Sequence, residues 1–233
     1  MLDIHSHILP KMDDGAKNEK ESISLLKTAK QQGVTTIIST SHFYADRDTP
    51  EKFLKRRAES FEKIRPLLTN ETPEIMFGSE VLYFYGISRA EDARKLKIEG
   101  TNLILIELPF HRWSDSMLDD LLSFQYSSGL QIILAHIERY RDLQDKKVFR
   151  QILDQDFYIQ CNADAFLSRP TKKLAFKLYE EGRLQFIGSD CHSTDHRPPH
   201  IAQAKEVFCK KYGEKEWSRF CNDSIDLFRD HMR

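Results

Sequence analysis

Seven short apolar runs recur along the chain. Each stops on, or within a residue or two of, a metal-ligand or amide side chain: MLDIHSH, TTIISTSH, IMFGSE, LILIEL, QIILAH, FYIQCN and QFIGSD. Their length and β-branched content predict buried strands. The segments between them carry helical spacing instead. Asn18 and Glu21 form a capping-box pattern, Ile23, Leu25, Leu26 and Ala29 follow, and Gly33 closes the helix. Thr49-Pro50-Glu51 reads as an N-cap with proline at the first helical position, leading a charged amphipathic stretch to about Leu68. Segments 88–97, 115–128, 144–155 and 171–181 repeat the alternation, with Gly129 and Gly182 as C-caps, and 199–212 and 215–231 read as closing helices. Strand and helix alternate about seven times, which predicts parallel strands joined by right-handed crossovers. The expected fold is a distorted (β/α)7 barrel, with residues 1–233 forming one domain.

A parallel barrel gathers the C-terminal ends of its strands at one mouth, so the polar residues ending these runs should meet there. His5 and His7 are two apart on a strand and face one side, where they can share an ion. Asp190 and His192 repeat that spacing in the last run, His42 and His136 end the second and fifth, and Glu80 and Glu107 end the third and fourth. A lone His-x-His is more often a pair of surface histidines, and a strand-end glutamate can pair with a lysine of the next helix. Six further strand ends of the same character outweigh both readings. A buried, unpaired glutamate would also cost several kcal/mol, a cost that a bound metal removes. Asp13-Asp14-Gly15 lies just after the first run, where one aspartate can fold back over the site. Spacing does not choose between the two, and Asp13 can instead cap a turn with Gly15.

Composition narrows the functional classes. The chain has 233 residues, 40% hydrophobic, enough for one full core. A net charge of −1 with interspersed signs provides no bulk field for nucleic acid or an anionic membrane. No run approaches the roughly 18 apolar residues of a membrane span, and the first residues lack the layout of a signal peptide. Cys161, Cys191, Cys209 and Cys221 show no CxxC spacing and read as reduced thiols, so a cytoplasmic location is expected. One motif points to different chemistry. Cys191 to Arg197, CHSTDHR, has the C-x5-R spacing of thiol-dependent tyrosine phosphatases. Its five intervening residues contain no glycine and include Asp195, and two prolines follow, all of which oppose a phosphate-cradling loop.

The run DIHSHILPKMDDGAKNEKESISLLKTAKQQGVTTIISTSH, with GSEV, LIELPF, LAHIERY and GSDCHSTDHRPP, resembles the PHP (polymerase and histidinol phosphatase) superfamily. More closely it resembles the manganese-dependent tyrosine-protein phosphatases encoded with capsule and exopolysaccharide genes in Gram-positive bacteria. That resemblance runs from Leu2 to about Ala204. It implies three metal sites: His5, His7, Glu80 and Asp190 at the first; Glu80, Glu107 and His136 at the second, with Glu80 bridging; Asp14, His42 and His192 at the third. It also implies phosphate contacts from Arg139 and Arg197, and the tyrosine-rich tail of a bacterial tyrosine kinase as partner. Cys191 departs from the small residue usual at its position.

The residues support that chemistry on their own terms. Mixed imidazole and carboxylate donors suit Mn2+, Fe2+ or Zn2+, in two or three ions, better than the all-oxygen shells of Mg2+ or Ca2+. Three divalent ions bound by four carboxylates leave the site net positive, which suits a phosphate dianion and an activated hydroxide nucleophile. Phe43, Tyr44, Phe110, Trp113 and Tyr140 follow strands and could sandwich a phenyl phosphate. The expected activity is metal-dependent hydrolysis of protein phosphotyrosine. The alternatives are another phosphoesterase, such as a histidinol-phosphate phosphatase or nuclease, and a non-catalytic metal-stabilised partner of the kinase.

Overall fold

The computed structural model describes residues 1–232. All seven runs are strands, but two of them are broken into pairs. The segments are β1 (Leu2–Ser6), β2 (Thr36–Ser39), β3 (His42–Phe43), β4 (Glu74–Phe77), β5 (Glu80–Leu82), β6 (Leu103–Glu107), β7 (Gln131–Leu134), β8 (Tyr158–Asn162) and β9 (Phe186–Gly188). Every pairing between these strands is parallel. Three strands pair in the order β1-β2-β4 and six in the order β3-β5-β6-β7-β8-β9. The second and third runs each pass from one sheet to the other, at Thr40-Ser41 and Gly78-Ser79. Glu80 N donates to both Thr40 O and Ser41 O at 3.1 Å, which ties the two steps together. At Gly78 a Cβ would lie 3.0 Å from Ile98 Cγ1, so a larger residue would have to push the chain outward.

The parallel sheet curls until β9 meets β1. Asp190 N donates to His5 O at 2.8 Å and His7 N to Cys191 O at 2.9 Å, closing the expected seven-line barrel along that seam. Strand alternation divides the apolar residues between two faces. Ile104, Ile106, Ile132, Leu134 and Ile187 pack under helical Leu25, Phe53, Leu121, Phe124 and Phe208. Leu103, Leu105, Ile133, Ala135 and Phe186 form the opposite face, with Phe228 beneath. Glu107 continues the Leu103–Leu105 row by one more two-residue step, so that row ends in a carboxylate.

The helices are α1 (Glu19–Gln31), α2 (Pro50–Ile64), α3 (Asp115–Ser128), α4 (Lys146–Leu153), α5 (Arg169–Glu180), α6 (Ile201–Tyr212) and α7 (Glu214–Asp230). Asn18 accepts from Glu21 N as expected, while the Glu21 carboxylate bonds Lys17 N rather than completing the box. Segment 88–97 is the exception among the expected helices. It forms two 3-10 turns, Ile87–Arg89 and Glu91–Leu96, because Ala90 leaves the helical region at ψ 85° between them. The Asp120 carboxylate of α3 draws the first turn inward, accepting from Gly86 N at 2.7 Å.

The β1/β9 seam is tight at Gly188, where a Cβ would lie 2.5 Å from His5 Cβ and 3.0 Å from Gln160 Nε2. Gly188→Ala should therefore destabilise the protein by about 1–3 kcal/mol, the usual cost of overpacking. Urea denaturation measures this, and a loss below about 0.5 kcal/mol, the level of an ordinary surface substitution, would show that the seam is loose.

Candidate metal centre

The curl brings all nine expected donors to one place. Glu80, the first residue of β5, is fully buried at the centre. Its Oε2 lies 3.2 Å from His5 Nε2, 3.2 Å from His7 Nε2 and 3.0 Å from His42 Nδ1, and its Oε1 lies 2.8 Å from His136 Nε2. Asp190 Oδ1 sits 3.6 Å from His5, 3.4 Å from His7 and 3.5 Å from His192. Asp14 faces His192 at 3.3 Å and His42 at 3.6 Å, and Glu107 faces His136 at 3.6 Å and His42 at 3.7 Å. Three sets have ligand atoms mutually within 4.8 Å: His7, Asp14, His42 and His192; His5, His7 and Asp190; His42, Glu80 and Glu107. These sets share His7 and His42, so they interlock rather than stand apart.

Local backbone explains how the last strands aim these side chains. His136 and Asp190 follow β7 and β9 at φ 31° and 50°, the left-handed region that β-carbon sterics disfavour. Each turns the chain at its strand end, and such strain concentrates where a side chain must be aimed.

Contacts distinguish the two adjacent aspartates. The Asp13 carboxylate accepts from His7 Nδ1 at 2.8 Å, His42 N at 2.8 Å and Gly15 N at 2.9 Å. It therefore fixes the His7 tautomer and caps the turn, leaving Asp14 to face His42 and His192. Gln160 escaped the sequence reading altogether. Its Oε1 accepts from His136 N at 2.6 Å and lies 3.2 Å from His5 Nδ1, and its Nε2 donates to Asn162 Oδ1 at 2.9 Å. Asn162 Nδ2 in turn donates to Asp190 Oδ2 at 2.7 Å. The Q-x-N spacing in YIQCN was the available signal, since residues two apart on a strand share a face.

The electrostatics fit a cation. Burial opposes the charge on Glu80 and Asp190, yet His5 and the surrounding imidazoles hold both below the usual carboxylate range. Burial and then the Glu80 charge push Glu107 up to about 7. His5 Nε2 and His7 Nε2 face one another at 3.1 Å, a spacing suited to two nitrogens on one ion with bonds of about 2.0–2.1 Å. Buried His42 Nδ1, Glu80 Oε2 and His192 Nε2 approach charged neighbours without forming a hydrogen bond of good geometry, and buried His136 Nδ1 also lacks a partner. Unsatisfied donors and lone pairs packed this densely are costly without a metal.

Beside the cluster opens a cleft of about 520 Å3, lined by Tyr44, Tyr83, Phe110, His111, Arg139 and Arg197 among others. Arg197 Nη2 lies 2.6 Å from Asp190 Oδ2 and Arg139 Nη1 3.7 Å from it, with the Arg139 guanidinium 4.7 Å over the Phe110 ring. Of the five aromatic residues expected at the mouth, Tyr44 and Phe110 line it. Phe43, Trp113 and Tyr140 are buried, the last with its hydroxyl accepting from Leu108 N. Tyr83 was not anticipated. The C-x5-R spacing has no thiol chemistry behind it. Cys191 is fully buried, and burial followed by the Asp3 charge pushes its thiol well above the ordinary range. Of the remaining histidines, His200 contacts Asp164 and His231 contacts Tyr158 and Asn102.

Residues 1–227 match the family model described as capsular polysaccharide synthesis, CpsB/CapC. The chain is 34% identical to the tyrosine-protein phosphatase CpsB of Streptococcus pneumoniae, over 100% of its own length and 97% of that protein. It is 28% identical to the tyrosine-protein phosphatase YwqE of Bacillus subtilis, over 92% and 86% of the two chains. A solved chain from the structures of B. subtilis YwqE and S. pneumoniae CpsB, described as unique metal-dependent tyrosine phosphatases, superposes with a TM-score of 0.82. It covers 100% of this chain and 96% of that one at 24% identity, which establishes the shared fold.

Glu138 gives a test of the buried charge balance in metal-free protein. It is buried beside the centre, accepting from Asn162 N at 3.2 Å, and burial pushes its carboxyl up to about 7. The folded state thus holds this proton more tightly than the unfolded one. Its stability contribution is complete below the unfolded pKa and is lost as pH rises toward 7. Glu138→Gln should be nearly neutral at pH 4 and stabilising by about 1–3 kcal/mol at pH 8. Equal effects at both pH values in urea titrations would contradict that reading.

Proposed function

The chain belongs to the capsular polysaccharide synthesis CpsB/CapC family, and from that membership we infer a metal-dependent protein-tyrosine phosphatase serving capsule or exopolysaccharide synthesis. The observation that carries the reading is the buried Glu80 carboxylate with four imidazole nitrogens around it, next to a cleft that offers two arginines and three aromatic rings. We assign His5, His7, Asp14, His42, Glu80, Glu107, His136, Asp190 and His192 as ligands of two or three divalent ions. Mn2+ is the proposed native metal, and Fe2+ and Zn2+ fit the same donors. Bound ions would supply charge neutralisation for the phosphate and a water activated at neutral pH.

The protein's own groups do the rest. Asp13 and Gln160 hold the His7 and His5 imidazoles in one tautomer, so their Nε2 lone pairs point inward. Arg139 and Arg197 present planar donors to the non-bridging phosphate oxygens, and Phe110 keeps the Arg139 fork in place. Tyr44, Tyr83 and Phe110 flank the position of a tyrosyl ring. A phenolate, with a conjugate-acid pKa of about 10, departs more readily than a serine alkoxide. The flexible tyrosine-rich tail of a bacterial capsule-type kinase fits a recessed site of this kind, and both partners would meet in the cytoplasm. No helix among the described residues is long and apolar enough to cross a membrane.

A panel of phosphotyrosine peptide, phosphoserine peptide, histidinol phosphate and single-stranded DNA, with Mn2+ and with chelator, tests the assignment. Phosphotyrosine should lead, chelator should abolish turnover, and Mn2+ should restore it. Histidinol phosphate ahead by tenfold or more would establish the superfamily alternative, and inertness toward every substrate would favour a non-catalytic partner.

Substitutions separate the roles. Glu80→Ala should lower metal content and turnover together. Arg139→Ala should keep its metal and lose about 30- to 1000-fold in kcat/KM, or about 2–4 kcal/mol. Asp13→Ala should weaken metal affinity by about 10- to 100-fold through the loosened His7. Cys191→Ser should retain most activity, and a dead but metal-replete variant would restore the thiol mechanism.

A further inference from the structure

A second cleft, of about 770 Å3, opens directly off the metal centre. Asp14 and His42 line its inner end, and His42 and Tyr44 line both it and the catalytic cleft, so the two clefts adjoin at these side chains. Its volume lies in the range of about 300–1,000 Å3 typical of ligand pockets. Beyond Tyr44 its walls come from the turn before α2 and the first turns of α2, and they carry Arg47, Lys52, Lys55 and Arg56.

We propose that this cleft is a subsite for acidic side chains flanking the phosphotyrosine, with Arg47 and Lys52 as the specificity-determining residues. The inference rests on the phosphotyrosine reading above. Ion pairing within the cleft leaves these two cations unmatched. Arg56 Nη2 is bonded to Asp48 at 2.6 Å, and Lys55 has Glu59 at 3.9 Å. Asp13 is committed to His7, and Asp14 belongs to the proposed ligand set. Among the described residues no carboxylate reaches ion-pair distance of Arg47 or Lys52, and both are exposed.

Arg47 is also held in place. Its guanidinium lies 4.6 Å over the Tyr44 ring, and that ring stacks on His42 at 5.3 Å and 24°. The stack leads outward from a proposed metal ligand to a pre-oriented cation. An extended chain advances about 3.3 Å per residue, so a segment with its phosphotyrosine at the centre reaches Arg47 within about three residues. A carboxylate there gains a planar guanidinium and a neighbouring ammonium, and a lysine or arginine would meet like charge.

The test compares three phosphotyrosine peptides of equal length, bearing acidic, neutral or basic residues within three positions of the phosphotyrosine. Wild-type, Arg47→Glu/Lys52→Glu and the milder Arg47→Gln/Lys52→Gln proteins are assayed with Mn2+, and p-nitrophenyl phosphate reports the catalytic centre alone. Wild-type protein should favour the acidic over the basic peptide by about tenfold in kcat/KM, carried in KM and weakened by salt. The glutamine variant should lose that preference and the glutamate variant should invert it. Turnover of p-nitrophenyl phosphate should stay within about twofold in any variant that folds, as surface changes away from the centre permit. Wild-type turnover without flank preference, or a preference that survives both variants, overturns the subsite alone. A wild-type protein inert toward all three peptides overturns the phosphatase reading and the subsite with it.

Discussion

The structure is organised around one buried carboxylate. Glu80 Oε2 has three imidazole nitrogens at 3.0–3.2 Å, and its other oxygen has a fourth at 2.8 Å. A carboxylate removed from water this completely costs several kcal/mol unless positive charge accompanies it. Neutral imidazoles directing lone pairs at it would add repulsion, and fully protonated ones would make a costly buried cationic cluster. Divalent ions held by these nitrogens and carboxylates would remove both penalties, and would link folding to metal binding at this point.

The fold can be read as what is needed to deliver Glu80 and its neighbours. Seven parallel strand lines bring their C-terminal ends to one rim, and the breaks at Thr40-Ser41 and Gly78-Ser79 move His42 and Glu80 from one sheet to the other. Gly188 permits the close approach of β9 to His5, and left-handed turns at His136 and Asp190 aim the last donor side chains. Beneath the rim Gln160, Asn162 and Asp13 link the donors by hydrogen bonds, so that loosening one imidazole disturbs its neighbours.

Much of this was legible in the sequence because the same period-two pattern encodes both burial and aim. His5 with His7, and Glu107 at the end of the Leu103–Leu105 row, follow from strand alternation alone. Where a helix has an unambiguous cap, as at Thr49 before α2, its start was legible too. What escaped reading depends on contacts between distant segments. Gln160 looked like an ordinary polar strand residue until His5 and His136 were placed beside it. Trp113 and Tyr140 looked like mouth residues because loop position does not reveal which rings turn inward. Segment 88–97 has helical spacing, but Ala90 and the pull of Asp120 divide it. Asp13 and Asp14 are adjacent and chemically identical, and only the bonds from His7 and His42 N separate their roles.

If the strand-end donors hold a polynuclear metal centre, the metal content of the purified protein will show it. Protein purified without chelator, equilibrated with Mn2+ and freed of loose ions should contain two or three equivalents per chain by inductively coupled plasma mass spectrometry. Anomalous diffraction should place each ion against the imidazoles around Glu80. Substoichiometric metal throughout, or ions bound only at surface carboxylates, would rule out a polynuclear centre.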